Sequence, residues 1–240
     1  TRCTKAIQST GEFALITHNK MDGPSHPLWN RPGASGAWGP MGIQLGIGNQ
    51  EVSHNTIRNY LTLDSPYGSD GGAIELDDGR YHKKNVYIHH NYSENERYGF
   101  FMYGFPNENR ITNMEDSKNT FYSVNTGKQI FLQASRVRQP VNTTVHDKII
   151  MLAAGDATWG SEPTAELGNM FENNLVYGLD EPDYQGPTGD PLFVSPGTTG
   201  TDIDMNDPER FAGYRLCEGS PALGAGRAGN IGAYEGDGVD

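Results

Sequence analysis

The chain has 240 residues, of which 35% are hydrophobic, with 31 glycines and 14 prolines. This length suffices for one large domain with a sizeable core, and the Gly and Pro content fits a turn-rich all-β fold better than a helical bundle or a doubly wound α/β fold. With 18 Lys and Arg against 30 Asp and Glu the net charge is −12. Such a surface repels nucleic acids and anionic membranes, and no stretch approaches the roughly 20 apolar residues of a membrane span.

A polar turn recurs through the first half of the chain. Asn19, Asn55 and Asn91 follow one another at intervals of 36 residues, and each comes directly after a histidine. A fixed strand pattern with turns of variable length predicts a coil of stacked β rungs, because only the strands must contact the rungs above and below. We expect the stacked asparagines to hydrogen-bond along the coil, and Asn119 and Asn174 to extend their column.

Short apolar segments supply a second kind of strand. They read GIQL, AIEL, FFMY, IFL and IIML, and we align them on their last residues, Leu45, Leu76, Tyr103, Leu132 and Leu152. Because side chains alternate along a strand, this register predicts that Gln44 and Glu75 point outward. The same face would carry an apolar strip formed by Phe100, Met102, Phe131, Ile149 and Met151. Soluble proteins rarely leave such a strip bare, so we expect the tail, a loop or a neighbouring subunit to cover it.

Several strings resemble those of a known family. They are VSHNTIRN, VYIHHNYSEN and GGAIEL, with DPLF, GSPALGAG and IGAYE nearer the C-terminus. They resemble the secreted right-handed parallel β-helix proteins, the broad group that contains the pectate-lyase-like enzymes. The resemblance implies a right-handed parallel β-helix at a secreted or cell-surface location, but it singles out no activity, since the group includes lyases, glycoside hydrolases, phage spikes and non-catalytic surface proteins. We predict β-helix rungs over residues 1–178 and an irregular tail with a closing segment over 179–240.

A Pro/Gly-rich loop at residues 23–40 interrupts the repeat and carries Trp29 and Trp38. The flat indole faces could stack on sugar rings, or they could pack the loop against the wall of the coil. Residues 1–23 fit the second half of a rung without its first half, so we expect an open edge that a preceding segment or another chain covers. A disulfide between Cys3 and Cys217 would require the tail to fold back along the coil.

Charged residues follow the apolar strands, and stacking would bring them to one edge of the coil. Carboxylate oxygens are ligands for calcium, which makes Asp70, Asp77 and Asp78 candidate metal ligands. The candidate catalytic residues of a polysaccharide lyase, as base or carboxylate clamp, are Lys83, Arg136, Arg138 and Glu75. The candidate substrate-binding residues are Trp29, Trp38, Gln44 and Arg110. Two alternatives stay open: Glu75 with Asp77 could form the carboxylate pair of a glycoside hydrolase, and Asp77-Asp78-Gly79 could be an ordinary solvated turn.

The histidines before the asparagines, His18, His54 and His90, could bind a metal or simply stack. Rungs lie near 4.8 Å apart, which is too close for three rings to ligate one ion comfortably, so the spacing favours structural stacking.

Two functional hypotheses remain for the chain. One is a secreted, polysaccharide-interacting protein, with calcium-assisted lyase action on uronic-acid glycans as its catalytic form. The other is a non-catalytic surface or fibre component that self-associates through the apolar strip and the open first rung.

Overall fold

The structure is a computed structural model of the 240-residue chain. It describes residues 5–23, 40–60, 62–65, 68–77, 82–94, 98–103, 111–123, 130–132, 140–152, 165–178, 186–196 and 212–234. Only the backbone is described for residues 62–65, 68–70, 77, 98–103, 123, 130–132 and 152.

Short β-strands make up most of the regular structure in these ranges. The first nine are β1 (Lys5–Ser9), β2 (Leu15–Thr17), β3 (Lys20–Asp22), β4 (Met41–Leu45), β5 (Gln50–Ser53), β6 (Thr56–Arg58), β7 (Thr62–Ser65), β8 (Gly68–Asp70) and β9 (Gly72–Asp77). The next five are β10 (Lys83–His89), β11 (Tyr92–Glu94), β12 (Tyr98–Tyr103), β13 (Ile111–Ser117) and β14 (Thr120–Ser123). The last are β15 (Ile130–Leu132), β16 (Thr144–His146), β17 (Ile149–Leu152), β18 (Met170–Glu172) and β19 (Leu175–Tyr177), with a 3₁₀ turn at Ala165–Leu167.

The strands form three parallel sheets that the chain visits in rotation. The first sheet has the order β1-β4-β9-β12-β15, the second β2-β5-β10-β13-β16-β18, and the third β3-β6-β11-β14-β17-β19. Each circuit through the sheets, which we call a rung, pairs in parallel with the circuit before it, and β7 and β8 form an antiparallel hairpin between the second and third rungs. An all-β fold of three parallel sheets is compatible with the predicted parallel β-helix.

The core consists of apolar columns that run along the stack. In the second sheet Ile16, Val52 and Ile88 lie in register, and in the first sheet Ile43 pairs with Ile74. Apart from Ile16, at 7% exposure, these side chains are completely buried. Burying one such aliphatic side chain contributes about 1.5–3 kcal/mol, so the stacking of equivalent residues supplies much of the driving force for coiling.

The predicted register of the first sheet is wrong at two of its five segments. Leu76 pairs with Met102 rather than Tyr103, and Tyr103 lies opposite Asp77. Leu152 belongs to β17 of the third sheet. The error arises because turns of variable length follow the strands, so the last residue of an apolar run does not mark the same structural position in every rung.

The predicted apolar strip is therefore not a single outward column. By backbone register, Phe100 and Met102 share columns with the inward-facing Ile74 and Leu76. Ile149 is buried in the third sheet. Of the five predicted members, Phe131 keeps the register of the outward column that contains Gln44 and Glu75.

The predicted asparagine column is confirmed as a hydrogen-bonded ladder formed by Asn19, Asn55, Asn91 and Asn119, of which Asn19 is partly exposed and the other three are completely buried. Each side-chain Nδ2 donates to the Oδ1 of the next asparagine, at 2.9, 2.9 and 3.0 Å. Each Oδ1 also accepts the backbone N–H of the preceding asparagine, at 3.0, 3.1 and 2.7 Å. The amides are thus satisfied inside a turn that water does not reach, as buried polar groups must be.

The residue before each ladder position adopts a left-handed backbone conformation. The φ angle is +57° at His18, +55° at His54 and +53° at His90, and it stays positive at the equivalent positions Lys118, Asp147 and Asn173. A single left-handed residue gives the sharp bend between the second and third sheets. The conformation also recurs at Asp147, where Lys148 rather than an asparagine follows and its backbone N–H donates to Asn174.

A second asparagine ladder, which we did not predict from the sequence, lies exposed where the chain enters the second sheet. Asn85 donates to Asn49 at 2.9 Å, Asn113 to Asn85 at 3.3 Å, and Asn142 to Asn113 at 2.8 Å. All four residues have positive φ. Its first two intervals, 36 and 28 residues, equal those from Asn55 to Asn91 and Asn119, so the signal was present in the sequence.

The described part of the tail packs on the third sheet. Leu216, Ala222 and Ile231 form one buried cluster with Ile149 and Leu175. The backbone N–H of Gly232 donates to the carbonyl of Asp147 at 2.8 Å, which extends the hydrogen bonding of the rungs into the tail. Cys217 forms no disulfide with any described residue, and Cys3 lies outside the described ranges.

Replacing Asn91 with alanine should strongly destabilise the protein. Asn91 is fully buried, and its loss leaves the amide of Asn55 and the carbonyl of Val52 without their partners. We expect a loss of about 3 kcal/mol in the free energy of unfolding, measured by urea denaturation. The matched control is Asn113→Ala in the exposed ladder, where water replaces the lost hydrogen bonds and the expected loss is about 1 kcal/mol. Equal losses at the two sites would contradict a structural role specific to the buried ladder.

Candidate functional site

Two predicted site residues, Gln44 and Glu75, are neighbours on the outer side of the first sheet. They pair in register, and Gln44 Nε2 donates to Glu75 Oε2 at 2.7 Å. Gln44 Oε1 in turn accepts hydrogen bonds from Gln8 Nε2, at 3.0 Å, and from Lys5 Nζ. Gln44 is only 4% exposed and Glu75 only 7%, so this polar row offers little surface to a ligand.

The expectation that Lys83 lies in an exposed turn is wrong. Lys83 is the first residue of β10, it pairs with Ile111, and its side chain is completely buried. The chain enters the second sheet earlier than the charge pattern suggested. The left-handed Asn85, with a φ of +54°, interrupts the strand alternation, so that Lys83 and Val86 are both buried. In this position the amine is not accessible to a polymer.

The other predicted site residues lie where the structure gives no side-chain description. Trp29, Trp38, Asp78, Arg110, Arg136 and Arg138 are outside the described ranges. Asp70 in β8 and Asp77 in β9 are described by backbone alone. The calcium ligands and the charged edge therefore stay predictions. Among the described residues, no group of three or more His, Cys, Asp or Glu side chains could hold a metal ion.

The outer side of the second sheet carries mostly polar and titratable side chains, which we call the polar face. Two adjacent columns form it, and both follow from strand alternation on every rung. One column contains Leu15, Glu51, Tyr87, Glu115, Thr144 and Met170. This column ends in an exposed apolar side chain on either side, Leu15 and Met170. The other contains Thr17, Ser53, His89, Ser117, His146 and Glu172.

Stacked histidines border the polar face. The rings of His18 and His54 have centroids 5.1 Å apart with planes at 2°, and those of His54 and His90 are 5.1 Å apart at 1°. His89 meets His90 edge-on, and their Nδ1 atoms lie 2.7 Å apart. The favoured prediction of structural stacking is confirmed, since the left-handed position places equivalent rings directly above one another.

The same cluster of three side chains occurs twice on the polar face. In the first, Glu51 Oε1 lies 3.3 Å from Nε2 of His89 on the next rung and accepts from Ser53 Oγ at 3.2 Å. In the second, Glu115 Oε1 lies 3.2 Å from Nε2 of His146 on the next rung and accepts from Ser117 Oγ at 3.2 Å. We call these the Glu–Ser–His clusters. Their sequence signal is Glu-x-Ser at 51–53 and 115–117, each followed by a histidine one rung later.

Tyr87 lies between the two clusters. It pairs with Glu51 on one side and Glu115 on the other, and it is 45% exposed. The hydrogen bond to Glu115 raises the pKa of Tyr87, and partial burial and the charges of Glu115 and Glu51 act in the same direction. The phenol therefore stays protonated as a hydrogen-bond donor.

A hydrogen-bonded chain runs from Tyr87 into the fold. Burial raises the pKa of Glu115, but hydrogen bonds from Tyr87, His146 and Ser117 and the charge of His146 outweigh burial, so the net pKa is below the ordinary value. Nδ1 of His146 lies 3.1 Å from Oδ2 of Asp147. Asp147 is 1% exposed, and its carboxylate accepts the backbone N–H of Arg227 in the tail at 3.1 and 3.2 Å. The tail thus fixes the inner end of this chain.

Comparison with known proteins does not name a relative. No protein-family model matches the chain, and no curated protein sequence matches it. In the described ranges, no helix is both long enough and apolar enough to cross a membrane.

The lowered pKa of Glu115 predicts an acid-sensitive contribution to stability. Because the folded-state pKa lies below the ordinary value of 4.5, this contribution is fully present above pH 4.5 and is lost as the pH falls through the folded-state pKa. We expect Glu115→Gln to be less stable than wild type at neutral pH and to approach wild type as the pH falls towards 3, in thermal unfolding followed by circular dichroism. Glu166→Gln, at an exposed carboxylate in the 3₁₀ turn, is the control. A Glu115→Gln deficit that stays constant across this range would contradict the assignment.

Proposed function

We propose that the chain is a secreted or cell-surface right-handed parallel β-helix protein of the pectate-lyase-like group, and that it binds a polysaccharide along the polar face. The observation that carries this proposal is the exposed ring of Tyr87 between the two Glu–Ser–His clusters. The family resemblance of the strings quoted above and the three parallel sheets support the fold.

The chemistry of the polar face suits sugar hydroxyls. Glu51 and Glu115 offer carboxylate oxygens as acceptors for sugar hydroxyls. Ser53, Ser117 and His146 are only 2%, 5% and 8% exposed, so they hold the two carboxylates in place rather than contact the ligand. The ring of Tyr87 gives a flat apolar surface for the C–H face of a sugar, while its hydroxyl is held by Glu115. Side chains already fixed by hydrogen bonds lose little entropy when they bind a ligand.

A repeating polymer fits this site better than a single small molecule. The polar face is an open strip that continues over six strands, not an enclosed cavity. The two Glu–Ser–His clusters lie two rungs apart along it, with Tyr87 on the rung between them, which corresponds to about 9.6 Å. A polysaccharide chain lying along the stack could engage both Glu–Ser–His clusters at once, and such multivalency raises affinity without new kinds of contact.

The catalytic form of the proposal is a calcium-assisted lyase that acts on uronic-acid glycans. The carboxylates Asp70, Asp77 and Asp78 are its proposed calcium ligands, and Glu75, Arg136 and Arg138 its proposed catalytic groups. The support for this form is the family resemblance and the residue types, since their side chains are either undescribed or, for Glu75, nearly buried.

A second candidate function is that of a non-catalytic surface or fibre component. Two large apolar side chains of the first described rung favour it, because Phe13 is 81% exposed and Leu15 is 62% exposed. Another chain or a further chain segment that covered them would remove this apolar surface from water.

Calorimetric titration against a panel of uronic-acid and neutral polysaccharides tests the binding proposal. We expect Tyr87→Ala to weaken binding of the best ligand about tenfold, which corresponds to about 1.4 kcal/mol. The matched control is Tyr177→Ala, which removes a tyrosine of comparable exposure, 36%, from the third sheet and should leave affinity unchanged.

The outcomes of this experiment separate the proposals. Equal effects of the two tyrosine variants would contradict binding at the polar face. Ultraviolet absorbance from new double bonds, appearing with calcium and a uronic-acid glycan, would establish the lyase form. No binding to any glycan, together with concentration-dependent oligomers in sedimentation, would favour the second candidate.

A further inference from the structure

The fourth and fifth rungs each break one of the columns that run along the stack. Lys148 occupies the position that the ladder fills with asparagine elsewhere: its backbone N–H donates to Asn174 Oδ1 at 3.1 Å, as the ladder asparagines donate to one another. On the fourth rung, Asp116 occupies the column of Ile88 and Val145. Both Lys148 and Asp116 are completely buried.

These two exceptional residues meet each other inside the core. Lys148 Nζ lies 2.6 Å from Asp116 Oδ2. The other carboxylate oxygen, Oδ1, accepts a hydrogen bond from Asn119 Nδ2 at 2.6 Å. The amine also lies 4.3 Å from the centre of the buried Phe121 ring. An amine, a carboxyl group and a donor that polarises the carboxyl group are thus held together in an apolar, water-excluding site.

Burial in this site favours the neutral amine of Lys148, which is the form that can react. Burial lowers the pKa of Lys148, although the charge and hydrogen bond of Asp116 oppose that shift. A neutral amine is a nucleophile, whereas an ammonium group is not. Two opposite charges in a core also carry a large desolvation cost, which their conversion to a neutral amide would remove.

We propose that Lys148 and Asp116 condense into an intramolecular isopeptide bond between Nζ and Cγ. A proton passes from the Lys148 ammonium to Asp116 Oδ2 within the pair, which leaves a neutral amine beside a carboxylic acid. The Nζ lone pair attacks Cγ, and Asn119 Nδ2 stabilises the negative charge that develops on Oδ1. The Cγ–Oδ2 bond breaks, a second Nζ proton goes to the departing oxygen, and one water leaves. The product is a secondary amide, formed without an oxidant or a cofactor.

The bond would cross-link adjacent rungs directly beneath the polar face. It joins positions 32 residues apart in the sequence. Asp116 lies on β13 between the outward-facing Glu115 and Ser117, and Lys148 comes two residues after His146. The second Glu–Ser–His cluster would therefore stand on two rungs that are covalently fixed to each other, which limits its freedom whether or not the cluster binds a polysaccharide.

Mass spectrometry of the intact, denatured 240-residue chain tests this proposal. We expect the purified protein to be lighter than its sequence by one water, about 18 Da. After tryptic digestion, we expect a branched peptide that joins the segments around Asp116 and Lys148, with no cleavage after Lys148.

Two variants show whether these residues are responsible. Lys148→Arg keeps the positive charge but cannot form the bond, so it should have its full sequence mass. Asp116→Asn presents an amide in place of the acid, so condensation with Lys148 should release ammonia and lower the mass by about 17 Da. A water loss that persists in Lys148→Arg would place the modification elsewhere and overturn the proposal. A wild-type chain that has its full sequence mass and is cleaved by trypsin after Lys148 would also overturn the proposal. In that case Lys148 and Asp116 form an ion pair only.

Discussion

The structure depends on one constraint, which is that the amides of a buried turn must all find partners without water. The asparagine ladder meets it, because the side chains of Asn55 and Asn91 use their donors and their acceptor on the adjacent rungs. A slip of one residue at Asn55 or Asn91 would leave several buried groups unpaired and would turn Val52 and Ile88 out of the core. The ladder therefore fixes the register of the second and third sheets.

The polar face follows from that register. Once equivalent positions lie above one another, the Glu-x-Ser segment of one rung meets the histidine of the next, and this happens twice with Tyr87 between. The strongest departures from the repeat, Asp116 and Lys148, meet for the same reason. The stack thus sets both the polar face and the buried pair of Asp116 and Lys148, for which we propose a covalent bond.

The turns that repeat with the same local sequence could be predicted from the sequence, whereas the strands that follow turns of variable length could not. The His-Asn pairs recur with constant local context, so the inner ladder and the histidine stacks could be foreseen. The first sheet lacks such a marker, and turns of different length shifted Tyr103 and misplaced Leu152. Lys83 was misjudged because a charged residue near a turn suggests exposure, whereas burial depends on where the next strand begins. The Glu–Ser–His clusters needed three-dimensional register, since their histidines are remote in sequence.

The most direct test of the account is disulfide trapping of the register between the second and third rungs, in a chain with Cys3 and Cys217 replaced by serine. Glu51→Cys with Tyr87→Cys places the two cysteines opposite each other, with Cα atoms about 4.8 Å apart, within disulfide range. Glu51→Cys with His89→Cys separates them by about 8 Å, beyond that range. The account predicts rapid, near-complete oxidation of the first pair and little of the second, read from the intact mass; equal or reversed oxidation would contradict it.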